Sequence, residues 1–197
     1  MSHALSVVKV GGSLVADRAR LCRVLGGLAD GADGLVVIVP GGGALADAVR
    51  ATQAALGYPD SLAHRLALDA MAGMARVLSA LEPRLTVTED PAGTLASGRV
   101  PVWDPSALKA GRPEIPETWD VTSDSLALWL AVRLGARTCL LVKSTDPVPG
   151  AGPAELARAG LVDAALPSFA ARYSGAIVVR GPGGDRTCRP GIAERAA

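Results

Sequence analysis

The chain reads as an α/β protein built on a mainly parallel sheet with helices on both faces. Three observations predict this. Short apolar runs recur and end in glycine, stretches with apolar residues at helical spacing alternate with them, and 49% of the residues are apolar against 20% charged. Strands that are apolar at every position are buried on both faces, as crossover helices require. The 197 residues suffice for one such core. A single domain over residues 1–197 is expected, because no internal repeat or long linker interrupts the pattern.

Residues 5–10 (LSVVKV) form the first strand, closed by Gly11, Gly12 and Ser13. Leu21, Val24, Leu25 and Leu28 then mark a helix over about 17–30. Residues 34–39 (GLVVIV) are a second buried strand ending in Pro40, Gly41, Gly42 and Gly43. A helix carrying Leu45, Ala48, Val49 and Leu56 follows. It breaks at 58–61 (YPDS), which is expected to cap the longest helix, about 61–81. That helix is read with a stripe of Leu62, Leu66, Ala70, Met74, Val77 and Leu81. Residues 85–88 and 99–103 are short strands, with Pro101 favouring an edge strand or a strand start. Residues 104–118 read as a loop, 122–134 as a helix stopped by Gly135, and 137–142 as another buried strand. Weak helices, a strand over 175–179 and a glycine-rich turn at 181–184 complete the order.

Composition excludes several function classes. A net charge of +1 does not supply the dense basic surface of a nucleic-acid binder, and 3% aromatics does not supply a base-stacking platform. No apolar run approaches membrane-spanning length, and residues 1–6 (MSHALS) lack a basic segment followed by an apolar one. Cys22, Cys139 and Cys188 are odd in number and widely spaced, so neither a disulfide framework nor a zinc site is expected and the cytoplasm is the expected location.

Chemistry concentrates at the strand ends, where ligands gather in open α/β sheets. Glycines at 41–43 open a helix straight after a strand, which bares backbone N–H groups at a helix N-terminus and suits an anion. Gly11 and Gly12 repeat the device. Only three of the 20 basic residues are lysines, and two of these, Lys9 and Lys143, sit at strand ends. A compact ammonium at that place suits phosphate contact. Phosphoryl transfer needs positive groups and N–H donors around the moving group with the acceptor held in line, and these residues offer both. Asp124 either positions the lysines or is an ordinary acid in a first helical turn. Neither a P-loop motif nor a dinucleotide fingerprint is present.

Residues 8–14 (VKVGGSL), 39–43 (VPGGG), 123–127 (SDSLA) and 142–146 (VKSTD) resemble, in order, the motifs of the amino acid kinase superfamily. The resemblance runs from about residue 5 to 148. It implies a three-layer α/β/α sandwich, a phosphotransferase with ATP and Mg²⁺ as cofactors, and a small-molecule phosphate as the other substrate. It also implies a homodimer or higher homo-oligomer with no nucleic-acid or membrane partner. By resemblance Lys9, Asp124 and Lys143 are catalytic. Gly11, Gly12, Ser13, Gly41, Gly42, Gly43, Thr145 and Asp146 line the phosphate and ATP site. No metal ligand is assigned to the chain itself.

The segments 119–125 (WDVTSDS) and 63–71 look like the aminomethyl-furan-methyl phosphate kinase branch, whose members convert a phosphomonoester to a diphosphate. On that reading His64, Arg65, Asp69, Trp119, Asp120 and Thr122 bind the acceptor. Asp69 is the first candidate for its amine, with Asp47 in reserve. His64 is either a ligand of the acceptor phosphate or a half-exposed helix histidine. Two departures stand out: residues 161–165 (LVDAA) carry no lysine where many members have a second catalytic one, and 146–150 read DPVPG. A UMP or isopentenyl phosphate kinase, and a non-catalytic nucleotide- or oxyanion-binding protein, are the alternatives. Met71, Met74 and Cys139 are expected in the core, Trp103 and Trp119 in core or rim, and Arg186 and Arg189 in solvent. Gly42→Ala is expected to alter stability little while weakening phosphate affinity.

Overall fold

The computed structural model describes residues 4–188. Arg189 lies outside them. β1 (Leu5–Val10), β2 (Leu35–Pro40), β3 (Leu85–Thr88), β4 (Val100–Trp103), β5 (Thr138–Val142), β6 (Ala176–Gly181) and β7 (Gly184–Cys188) form one sheet in the order β3-β4-β2-β1-β5-β6-β7. All pairings are parallel except β6–β7, an antiparallel hairpin that the sequence reading did not separate from the turn at 181–184. The helices are α1 (Arg18–Ala29), α2 (Gly43–Leu56), α3 (Asp60–Leu81), α4 (Pro91–Ala96), α5 (Ser123–Leu134), α6 (Pro153–Arg158) and α7 (Leu166–Ala170). None of the described helices is long and apolar enough to cross a membrane.

Alternation along the central strands sorts their side chains into two cores. Val8, Val10, Val36 and Ile38 pack with Leu21, Leu25 and Leu28 of α1 and Leu78 of α3. Val7, Val37 and Val39 pack on the other face with Leu68 and Met71 of α3, Leu126 and Leu130 of α5, and Leu166 of α7. Three layers result. Lys9 has the same parity as Val7, so it projects toward α5. Cys139 is fully buried, and Trp103 stacks on Trp129 at 6.1 Å between centroids.

Several local readings are corrected. Helix α3 buries Ala63, His64, Leu68, Met71, Ala75 and Leu78, and Ala70 and Met74 of the expected stripe with them, while Leu62 and Val77 are exposed. The stripe is rotated from the predicted one because alanines, too small to dominate a hydropathy pattern, fill the close contacts. Pro59, not a polar side chain, precedes α3, and the Asp60 carboxylate instead accepts from Gln53 Nε2 at 2.7 Å. Pro101 stands at the start of β4, one of the two expected placements, and β4 itself is an interior strand beside the edge strand β3. Residues 105–110, within the expected loop, form a 3-10 turn, as do residues 12–16. Arg186 is exposed, as expected.

Candidate active site

β1 is followed by a neighbour on one side (β2) and β5 lies on its other side, so the chain reverses its winding there and leaves a crevice beyond the strand ends. A cavity of about 570 Å³ occupies it. Its floor holds Lys9 and Lys143. Lys9 Nζ lies 2.9 Å from Asp124 Oδ1, and Lys143 Nζ donates to both Asp124 oxygens at 2.8 and 2.7 Å. All three residues are buried. Burial opposes the charge on Asp124, but the two ammonium groups outweigh it and hold its carboxyl below the ordinary range. Burial, with Lys9 adding to it, lowers Lys143 to about 8 against the pull of Asp124. Two ammoniums facing one carboxylate leave one excess positive charge in a place poor in water.

The glycine turns interlock beside this triad. A Cβ on Gly12 would stand 2.4 Å from Gly43 N, one on Gly41 2.5 Å from Gly12 N, and one on Gly42 2.4 Å from Ala46 Cβ. Gly42→Ala therefore strains the fold, contrary to the sequence expectation, because backbone and a helical Cβ already fill the space. Gly43 also has φ of +53°. The N–H groups of Gly11 and Gly41 are spent, donating to the carbonyls of Val142 (3.0 Å) and Val10 (2.9 Å). Gly11 is thus a spacer, while Gly12, Gly42 and Gly43 have no backbone partner for their N–H groups among the described residues and line the cavity.

Ser13, Thr122 and Thr145 also line it, and Ser13 Oγ donates to Ser144 Oγ at 3.0 Å. Thr145 and Leu161 are shared with a second cavity of about 370 Å³ that Asp146 lines, so Asp146 faces an extension of the first cavity. Its carboxylate also accepts from Gly183 N at 2.8 Å, fixing the β6–β7 turn.

The acceptor candidates separate. His64 and Trp119 line the cavity; Arg65, Asp69 and Asp120 do not. Arg65 forms a bridge to Glu117 through Nη2 at 3.0 Å, Asp69 is held by Lys109 Nζ, and Asp120 is exposed. The rotation of α3 explains the first two: residues at 65 and 69 share the outer face when 64, 68 and 71 face inward. His64 is buried, and Trp119 carries the Arg50 guanidinium 4.0 Å over its ring and donates through Nε1 to Gln53 Oε1.

Three further positions bear on the candidate site. Arg50 lines the cavity from α2. Arg20 Nη2 donates to the Lys143 carbonyl at 2.7 Å. Asp163, buried, accepts from Thr122 N and Oγ1 and from Ser125 N, each at 2.9 Å, and from Ser125 Oγ, so one carboxylate clasps the start of α5 on both sides of Asp124. Within 161–165, which carries no lysine, the acid Asp163 stands alone in an apolar run, and that was the available signal. Among the described residues no group of three His, Cys, Asp or Glu side chains is placed to hold a metal ion.

A crevice lined by two lysines and a glycine turn at the switch point of a three-layer α/β/α sandwich places the chain in a known structural class, the amino acid kinase fold. Solved structures with this fold include the uridylate kinase of Archaeoglobus fulgidus, with a TM-score of 0.63 at 20% identity over 88% of this chain and 89% of that one. The aspartate kinase of Synechocystis gives 0.67 at 19% identity over 95% of this chain and 40% of that one. In sequence the chain is similar to the [5-(aminomethyl)furan-3-yl]methyl phosphate kinase of Methanocaldococcus jannaschii, 28% identical over 146 residues, which is 73% of this chain and 68% of that protein. No family model matches the chain.

Proposed function

We propose that the chain is an ATP-dependent kinase that phosphorylates a phosphomonoester to a diphosphate, with [5-(aminomethyl)furan-3-yl]methyl phosphate as its acceptor. The observation that carries the reading is the buried excess of positive charge at Lys9–Asp124–Lys143 beside three free glycine N–H groups. Such a site is stabilised by the anion it receives, and preorganised donors around a moving phosphoryl are what this chemistry requires. The relative's name supports the choice of acceptor.

In this mechanism an oxygen of the acceptor phosphate attacks the γ-phosphorus of ATP, the bond to the β,γ-bridging oxygen breaks, and ADP leaves. Lys9 and Lys143 balance charge on the transferred group. Asp124 holds both ammoniums in place, and Asp163 holds Asp124 through α5. The N–H groups of Gly12, Gly42 and Gly43 grip phosphate oxygens. The second cavity, lined by Asp146 and Val148, offers room for the rest of the nucleotide. The donor set fits a triphosphate well and a bare metal poorly, because both Asp124 oxygens are engaged by lysines. Mg²⁺ would enter on the nucleotide's phosphates and neutralise part of their charge. Three unpaired cysteines support a cytoplasmic setting. A homodimer or higher homo-oligomer belongs to the same reading; the exposed Leu45 and Leu56 of α2 supply apolar surface for it, and sedimentation that stays monomeric at all concentrations removes it.

ADP formation with Mg-ATP and a panel of phosphomonoesters tests the function. The furan phosphate is expected to turn over to its diphosphate. Turnover of UMP or isopentenyl phosphate in its place reassigns the acceptor, and saturable binding without ADP removes the enzyme.

A further inference from the structure

The cavity wall contains a group that a pure phosphate site does not explain. Asp47, in the second turn of α2, contributes the one carboxylate among the described residues that line the cavity. It has no ion pair or hydrogen bond among the described residues. Its nearest candidate partner along the helix, Arg50, is engaged over the Trp119 ring. The other ionisable groups on the wall are Lys9, Lys143, Arg50 and His64. A free carboxylate repels the phosphates that those cations attract, so its place there calls for a ligand group of positive charge.

His64 points the same way. Its Nδ1 sits 3.4 Å from the Thr118 carbonyl oxygen. A carbonyl only accepts, so Nδ1 carries the hydrogen and a neutral ring presents Nε2 as a lone pair. Burial, the largest influence on this ring, lowers its pKa and favours that neutral form. A lone pair suits a donor, not a phosphate oxygen, which revises the expectation that His64 grips the acceptor phosphate.

We propose that Asp47 and His64, which line the same cavity as Lys9 and Lys143, form a subsite for a protonated amine on the acceptor. Asp47 lies four residues beyond Gly43, about 6 Å of helix rise. A phosphate over the Gly41–Gly43 turn and an amine at Asp47 can thus belong to one small molecule, with a five-membered ring between them against Ala44, Ala46 and Ala67. This rests on the proposed kinase reading and names what selects its acceptor. The aminomethyl group in the relative's named substrate has the required chemistry.

Calorimetric binding and ADP release test it with two ligands: the aminomethyl furan phosphate and the same phosphate carrying methyl in place of aminomethyl. Wild type should bind the amine at least tenfold more tightly, equal to about 1.4 kcal/mol. Asp47→Asn, an exposed change that leaves the core untouched, should remove most of that preference by raising Kd and KM for the amine at least tenfold and for the methyl analogue several-fold less. His64→Asn keeps a donor for the Thr118 carbonyl and removes Nε2, and should shrink the preference in the same direction. Equal losses on both ligands, or a raised Mg²⁺ requirement on both with the preference intact, overturn the subsite while the kinase stands. Absence of binding and of ADP with every phosphomonoester overturns the kinase reading and the subsite together.

Discussion

On the strand-end side of the cavity, Lys9, Asp124 and Lys143 hang on core elements and are buried, whereas the facing wall, α2, buries no side chain along its whole length. The first side is held by the sheet, by the Asp163 clasp on α5 and by the Arg20 contact to Lys143. The second packs along α3 and the 12–16 turn and adds polar contacts: Gln53 to the Tyr58 carbonyl and Asp60, Tyr58 Oη to the Val49 carbonyl, and Arg50 over Trp119. Buried charges must be fixed in place because misplacing them costs far more than misplacing an exposed group. On the proposed reading, phosphate transfer falls to the side held by the sheet, and choice of acceptor to a wall whose exposed residues can change without touching the core.

The sharpest way to break this contrast is Asp124→Asn. It removes the carboxylate between two buried ammoniums, and unfolding in urea should show a loss of about 3–5 kcal/mol together with loss of activity. A near wild-type midpoint would mean that the triad is not energetically buried. Gly12→Ala should come next, at about 1–3 kcal/mol by overpacking, since the new methyl meets the Gly43 backbone; an unchanged melting temperature would show that the two turns separate freely. Lys9→Arg keeps the charge and changes its shape, so kcat/KM should fall about tenfold or more, roughly 1.4 kcal/mol of barrier. Wild-type turnover in that variant removes Lys9 from the mechanism.

Lys143 gives a pH test with opposite signs for activity and stability. Its folded pKa of about 8 lies below the ordinary lysine value of 10.5. Between those values the folded state binds fewer protons than the unfolded one, so stability from this group rises with pH there, and the penalty is full below about pH 8. The ammonium is nevertheless the form that meets phosphate, so kcat/KM should fall as pH rises through about 8. A flat profile from pH 7 to 9.5 excludes the Lys143 ammonium from phosphate handling. The smallest effect belongs to the exposed wall: Leu56→Ser at the end of α2 should shift stability by no more than about 0.5 kcal/mol in the monomer. A larger loss would show that α2 is more firmly packed than its exposure indicates.

The sequence by itself determined the strands β1, β2 and β5, the glycine turns after the first two, and the lysines at the strand ends. Each is a local signal: a continuous apolar run can only be a strand or core segment, and glycine beside it answers a backbone need at that very position. Tertiary structure alone decided the rest. The register of α3 was set by alanine contacts invisible to hydropathy, which turned Asp69 outward to Lys109 and His64 inward to Thr118. Gly11 and Gly12 look alike in the chain, yet only the pairing of β1 with β5 consumes the Gly11 N–H and leaves that of Gly12 free. Asp163 meets Thr122 and Ser125 across some forty residues, and Asp47 differs from any other exposed helix acid only by the cavity it faces. Hydrogen bonds and charge act over a few ångströms in space, and sequence spacing carries that distance only inside a single helix or strand.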